Sequence, residues 1–326
     1  MERELKKGST PRDLLALARE AKAPDALSAA GRQQRFGDLS DRVIAPGQIW
    51  RAAWDDDSVL VFVVGVENAE IVAIPMTVDP GAEDEGALVL EPEATVFAIE
   101  STLWADLETT LPLRVFDEIV DQLPTAVTDW ITCPTRDPKD AAALGMRTGK
   151  SPSTAFDRSR AVRAEIEDDL EALRAAPSLP IAKGADVPTR TLASVLGKAV
   201  DLRVLVDGLR HLGLDQPDVM SLLRGKRPIT PDEVDAVARL TQVDPKVIAE
   251  AVEPLPAEFV EEVDHPRWRE TWRQRARRDG VDESSARLKM SYEMYARAAR
   301  QTGSSAPDWA ARLAQFRHLQ DGPGTH

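Results

Sequence analysis

The spacing of apolar residues changes between the two halves of this chain, and this change constrains the fold more than any other feature. From Pro46 to about Ile99, short apolar runs alternate with acidic turns: GQIWRAAW, VLVFVVGV, EIVAIPMT, ALVLEP and TVFAIE. Short runs bounded by turn residues are typical of antiparallel strands. From Thr189 onward the spacing is helical, in short segments separated by glycine and proline. The sequence therefore predicts an α+β protein in which a small antiparallel β-barrel-like domain precedes an all-α region.

The 326 residues divide into five predicted segments. A helical arm over 1–45, in which Ser9 caps a helix, precedes an acidic barrel-like domain over 46–130. The apolar spacing of Leu113–Leu123 predicts a helix that closes this domain. A linker with a charged helix follows over 131–187, then a helical domain over 188–253 and basic helices over 254–326. The last helices are expected over 266–278 and 283–302.

The charge of the chain is distributed unevenly. The formal net charge is −14, and the segment 46–130 alone holds eighteen acidic residues against two basic ones, Arg51 and Arg114. The segment 265–318 holds twelve basic and six acidic residues. Because the sign of a local field selects the partner, this asymmetry predicts separate modules that meet different partners.

Several classes of chemistry are excluded by composition. Cys133 is the only cysteine, so no disulfide is possible, and we interpret it as a buried apolar residue. The four histidines have no metal-ligand spacing, and we expect neither a metal site nor a cofactor. The longest apolar run, Val59–Val66, is too short to cross a bilayer, and the amino terminus has no apolar leader. The expected location is the cytoplasm, with no membrane partner.

A helix-turn-helix pattern lies in the segment 188–253. Apolar residues fall on one face of a first helix that ends before Gly213, and Asp215 is placed to cap a second helix with Pro217 in its first turn. Gly225 and Lys226 form a turn, after which Thr230 caps a third helix. Gly208 interrupts the first helix and lowers its propensity by up to about 1 kcal/mol.

This segment resembles the XRE family, whose members are DNA-binding proteins of the Cro and phage-repressor type. The resemblance implies that the second helix enters the major groove and that the Gly-Lys turn holds phosphates. The base-reading positions would be Gln216, Asp218 and Ser221, and the phosphate-binding positions would be Arg224, Lys226 and Arg227. Asp215 and Asp218 place negative charge near the phosphates, although an acid can accept from cytosine N4. A helical bundle with a coincidental Gly-Lys turn is the alternative.

The basic helices carry a second candidate surface. Arg269, Arg273 and Arg277 repeat at i, i+4 and i+8, beside Trp268 and Trp272. A basic stripe flanked by aromatic residues suits nucleic acid. Two other readings stay open: a solvated face beside a packing face, and a dimer interface.

The barrel-like segment resembles the MazF/PemK family, whose small SH3-like barrel cleaves single-stranded RNA. The matching residues are Gly47, Ile49 and Trp50, then Pro75 and Thr77. Where that family places its catalytic arginine, this chain has the acidic sequence DDDSVLV, which cannot stabilise a developing negative charge. The segment therefore predicts a barrel without catalytic residues.

We expect a non-enzymatic, sequence-specific DNA-binding transcriptional regulator that binds double-stranded DNA as a homodimer. Its acidic domain would act as a sensor or bind a basic protein, a ligand or the chain's own basic tail. One alternative is an antitoxin or defence-system interaction protein. The other is a MazF-like endoribonuclease fused to a DNA-binding module, which would need Arg51 or Arg114 beside Thr77.

Overall fold

The computed structural model describes residues 24–38, 42–67, 69–133, 138–154, 157–181, 191–197, 201–225, 227, 229–249, 251, 254–298 and 308–321. The chain divides into two compact units, unit 1 over residues 1–175 and unit 2 over residues 176–326. Unit 1 contains the sheet and unit 2 is helical, which confirms the predicted α+β class. The helix predicted after Ser9 lies outside the described residues.

Unit 1 is built on one antiparallel sheet. Its strands are β1 (Gln48–Trp54), β2 (Asp57–Glu67), β3 (Glu70–Thr77), β4 (Leu88–Leu90), β5 (Ser101–Leu103), β6 (Thr109–Pro112), β7 (Phe116–Gln122) and β8 (Met146–Thr148). Their order is β7-β1-β2-β3-β5-β4-β8, and β6 pairs with the first half of β3. In the described part of the chain β7 and β8 form the two edges, so the sheet stays open instead of closing into a barrel.

Helices flank this sheet. They are α1 (Ala29–Phe36), α2 (Thr125–Thr132), α3 (Pro138–Ala141) and α4 (Arg158–Arg174). The core between the sheet and α2 contains Ile49, Phe62, Leu103, Val127 and Ile131, all nearly inaccessible to solvent. Burial of such side chains supplies most of the free energy that stabilises the unit.

The helix predicted over Leu113–Leu123 is wrong. The structure has a short 3₁₀ turn followed by strand β7, which pairs with β1. The register of this pair shifts twice, so that Val120 and Asp117 are extra residues on β7. Each bulge interrupts the two-residue alternation of a strand, and the apolar residues then recur at the intervals that indicate a helix.

The boundaries of two other predicted elements also differ. The run TVFAIE over 95–100 is irregular, and the strand begins only at Ser101. The predicted linker over 131–187 contributes β8 and α4 to unit 1, where α4 packs against β2 and β6. The other four predicted strands are present.

The regular elements of unit 2 among its described residues are helices, apart from one isolated parallel β-bridge between Ile181 and Leu255. Its helices are α5 (Leu192–Leu196), α6 (Leu202–Leu209), α7 (Gln216–Leu223), α8 (Pro231–Thr241), α9 (Pro245–Ala249), α10 (Ala257–Asp264), α11 (Arg269–Asp279), α12 (Glu283–Ala298) and α13 (Trp309–Asp321). The first five surround one apolar cluster and the last four surround another. Ile229 packs against both clusters. The helices predicted over 266–278 and 283–302 are confirmed as α11 and α12 in part: a 3₁₀ turn, Pro266–Trp268, precedes α11, and residues 299–302 lie outside the described residues.

Candidate nucleic-acid interface

Helices α6 and α7 follow each other in the chain and contribute to the same apolar core. After α6, the chain reverses through a short 3₁₀ turn to Gly213, whose φ of +78° is a conformation that glycine adopts without strain. Leu214 is buried and Asp215 caps α7. Leu209 of α6 and Leu222 of α7 belong to the same cluster and are almost fully buried. The apolar pattern therefore fixes how the two helices pack.

Both acids at the start of α7 are engaged in capping. The Asp215 carboxylate accepts the Asp218 backbone N–H at 3.0 Å, and the Asp218 carboxylate accepts the Asp215 N–H at 3.4 Å. This reciprocal capping box satisfies two donors that the first turn of a helix leaves free. The Asp218 side chain, predicted to read a base, thus accepts a hydrogen bond from the backbone N–H of Asp215.

The remaining predicted base-reading residues lie on the surface of α7. Gln216 is exposed at the first position of the helix, and Ser221 is partly exposed five residues later. Val219 and Leu222 point into the core of unit 2. The helix therefore buries one face and presents another to solvent.

The three predicted phosphate-binding residues have different surroundings. Arg224 is exposed at the carboxyl end of α7 and makes no ion pair with any residue that the structure describes. Lys226 lies outside the described residues. Arg227 donates to the Glu233 carboxylate at 2.6 Å, and only 6% of that glutamate side chain is exposed.

Glu233 has a structural role that the sequence analysis did not assign to it. Its second carboxylate oxygen accepts the Thr230 N–H at 3.0 Å, and its own N–H donates to the Thr230 hydroxyl at 3.3 Å. The spacing of Thr230 and Glu233 is that of a capping box and could have been read from the sequence. Arg227 is therefore a structural partner of the turn that connects α7 to α8.

Gly208 has a packing explanation. A Cβ atom at this position would lie 2.5 Å from Cδ1 of Leu240 on α8. The glycine that weakens α6 as an isolated helix leaves room for this side chain, so tertiary contact overrides helix propensity here.

The predicted arginine stripe of α11 does not form a continuous cationic surface. Arg269 is only 4% exposed, and its guanidinium and that of Arg273 both donate to Glu283 of α12, at 2.8 and 3.2 Å. Arg277 is exposed and pairs with Glu270 on the same helix. Trp268 and Trp272 are buried in the second cluster of unit 2. The first two arginines therefore connect α11 to α12, and the packing interpretation describes this helix best.

Of the two candidate arginines of unit 1, Arg51 is directed away from Thr77. In the strand register Arg51 of β1 lies opposite Leu60 of β2, and Leu60 lies opposite Met76 of β3, so these three side chains share one face of the sheet. Thr77 is the next residue after Met76 and therefore lies on the other face. Arg51 also forms a two-pronged hydrogen bond with Asp117, which raises the pKa of the guanidinium. Arg114 lies in the short 3₁₀ turn Leu113–Val115 between β6 and β7, two residues after Pro112, which pairs with Glu70 at the opposite end of β3 from Thr77.

The Thr77 hydroxyl has a different partner. It accepts a hydrogen bond at 3.1 Å from the indole N–H of Trp104, a residue that is fully buried. Thr77 therefore anchors a core tryptophan, and this role accounts for a hydroxyl at the end of β3.

Part of the acidity of segment 46–130 is compensated by arginines outside it. The ion pairs are those of Arg35 with Asp121, Arg147 with Glu83, Arg158 with Asp79, and Arg163 with Asp84 and Asp106. Glu83, Asp84 and Asp121 are largely buried, so these carboxylates serve the fold of unit 1. The flanking segments belong to the same unit as the sheet.

Carboxylates also crowd together where α4 approaches β2. The pKa of Asp169 is raised, first by burial and then by repulsion from Asp57, Glu165 and Asp168. Within the described ranges, no three His, Cys, Asp or Glu side chains are arranged to hold a metal ion. No helix there is both long and apolar enough to span a bilayer.

Compared with known protein families and with curated proteins, the chain matches none.

Proposed function

We propose that this protein is a sequence-specific DNA-binding regulator whose reading element is α7, supported by α6. The observation that carries the proposal is the composition of the solvent-facing side of α7. Gln216, Ser221 and Arg224 lie on the exposed part of the helix, while both acids of its first turn are engaged in capping. A helix of this kind, held against a preceding helix by a shared core, suits the major groove of double-stranded DNA.

Arg224 is the main electrostatic contact in this proposal. Its exposed guanidinium, without an ion pair to any described residue, can hold a phosphate or donate to guanine. Gln216 and Ser221 provide uncharged groups that can hydrogen-bond to base edges. Arg227 enters only indirectly, because it holds the α7–α8 turn through Glu233.

A homodimer completes the proposal. One helix of this length reads only a few base pairs, and two copies related by a twofold axis would read two half-sites about one helical turn apart. The antitoxin alternative is compatible with this activity and stays a prediction for unit 1.

The test measures binding of the full-length protein to genomic DNA fragments, its own upstream region included, at several salt concentrations. The wild type is compared with Arg224→Ala and with Arg278→Ala, a control that removes the same charge from an exposed site on α11. We expect one fragment to be bound selectively. In Arg224→Ala the slope of log affinity against log salt should fall by about two units per dimer, about one for each Arg224, while the control keeps the wild-type slope.

Two results would refute the proposal. The first is an absence of selective binding at every salt concentration. The second is an Arg224→Ala variant with the affinity and the salt dependence of the control, because α7 would then lie outside the interface.

A further inference from the structure

The solvent-facing side of α7 is partly apolar. Successive residues of a helix are rotated by about 100°, so the face opposite Val219 and Leu222 consists of Pro217, Met220, Ser221 and Arg224. Pro217 and Arg224 are exposed, and Met220 is partly exposed. Two of the four side chains on this face are therefore apolar, in a position where a groove-binding helix meets base edges.

The residues on the two flanks of this face are polar. Asp218 lies on the flank, and its carboxylate accepts the backbone N–H of Asp215. Gln216 lies on the other flank at the first position of the helix. The face formed by Pro217, Met220, Ser221 and Arg224 thus contains one guanidinium, one hydroxyl and two apolar side chains, and it contains no acidic side chain.

We propose that Met220, with Pro217 beside it, makes α7 select DNA sites that contain thymine at a fixed position. In the major groove the C5-methyl group of thymine is the apolar feature among the base edges, and an apolar side chain distinguishes it by excluding water from it. Ser221 and Arg224 then supply the polar contacts to neighbouring groups. This inference rests on the proposed function, because it assigns the sequence preference of the same helix.

The experiment begins with DNA sequences enriched from a random pool by the full-length protein. Each thymine of the enriched site is then replaced in turn by deoxyuridine, which removes the methyl group and keeps the base pair. At the thymine that contacts Met220, wild-type affinity should fall about fourfold, the effect of withdrawing one methyl group from an apolar contact. Met220→Ala should lose most of this difference, and Met220→Leu, which keeps an apolar side chain, should retain it.

The outcomes separate this inference from the proposed function. If no sequence is enriched, the proposed function fails and this inference fails with it. If a sequence is enriched but deoxyuridine is bound as tightly as thymine at every position, the DNA-binding function stands and the methyl readout is wrong. The same conclusion follows if Met220→Ala keeps the full fourfold difference. The wild-type scan by itself can refute the inference even if a variant folds poorly, and Met220→Leu links the methyl contact to this side chain if Met220→Ala does not fold.

Discussion

Replacing Arg227 by alanine tests whether this residue stabilises the protein or contacts DNA. In the structure its guanidinium donates at 2.6 Å to Glu233, whose other carboxylate oxygen holds the amino end of α8. In Arg227→Ala the glutamate stays buried and keeps the Thr230 N–H, but it loses its cation. The perturbation therefore leaves a negative charge with incomplete compensation in a site of low solvent access.

The magnitude follows from these contacts. A hydrogen bond between charged groups contributes about 1.5–3 kcal/mol to stability. The Arg227 side chain is 23% exposed, so water can partly replace it, and we expect a loss near the lower end, about 2 kcal/mol. When amide exchange is limited by the opening equilibrium of the helix, that difference in free energy corresponds to about thirtyfold faster hydrogen exchange of the α8 amides.

The assay is hydrogen exchange of the full-length protein at neutral pH, followed over Pro231–Thr241. Arg224→Ala is the matched control, because its guanidinium is exposed and an exposed substitution changes stability by about 0.5 kcal/mol or less. Arg227→Ala should accelerate exchange in α8, whereas Arg224→Ala should weaken DNA binding and leave exchange unchanged. If α8 exchanges at the wild-type rate in Arg227→Ala, the structural role assigned to Arg227 is refuted.

Three further predictions follow from single contacts. Thr77→Val leaves the buried indole N–H of Trp104 without its acceptor, so urea titration should show a loss of about 1–3 kcal/mol in the free energy of unfolding, and Thr77→Ser should restore most of it. Gly208→Ala should add about 0.5–1 kcal/mol to the free energy of unfolding when Leu240 is also alanine, but not when Leu240 is present. A double-mutant cycle measures this coupling, and a coupling energy of zero would contradict the close contact between the two residues. Burial, and then the charge of Arg267, lower the pKa of His265 from 6.5 to about 4, so the unfolded chain takes up a proton that the folded chain does not. Stability should therefore fall as the pH drops from about 6.5 toward 4, and His265→Asn should flatten this fall; equal pH dependence in both proteins would argue against the assignment.

The sequence alone was sufficient where local interactions determine the structure. Asp215 and Thr230 cap α7 and α8 as their spacing predicts, and Gly213 takes the left-handed conformation that ends the preceding turn. These features depend on residues three or four positions apart, so a single sequence contains the information needed to read them. The same reasoning correctly predicted four strands of unit 1 and the helices α11 and α12 of unit 2.

The tertiary structure decided everything that depends on partners distant in sequence. Two bulges against β1 gave the apolar residues of β7 a helical spacing, and only the strand pairing shows that this segment is extended. Similarly, Arg269 and Arg273 of α11 form ion pairs with Glu283, so the predicted arginine stripe is not a continuous cationic surface. Arg227 forms an ion pair with Glu233. A sequence shows which side chains carry charge, but the approach of another element determines which of those charges remain available to a ligand, because ion pairing and burial are properties of the packed chain.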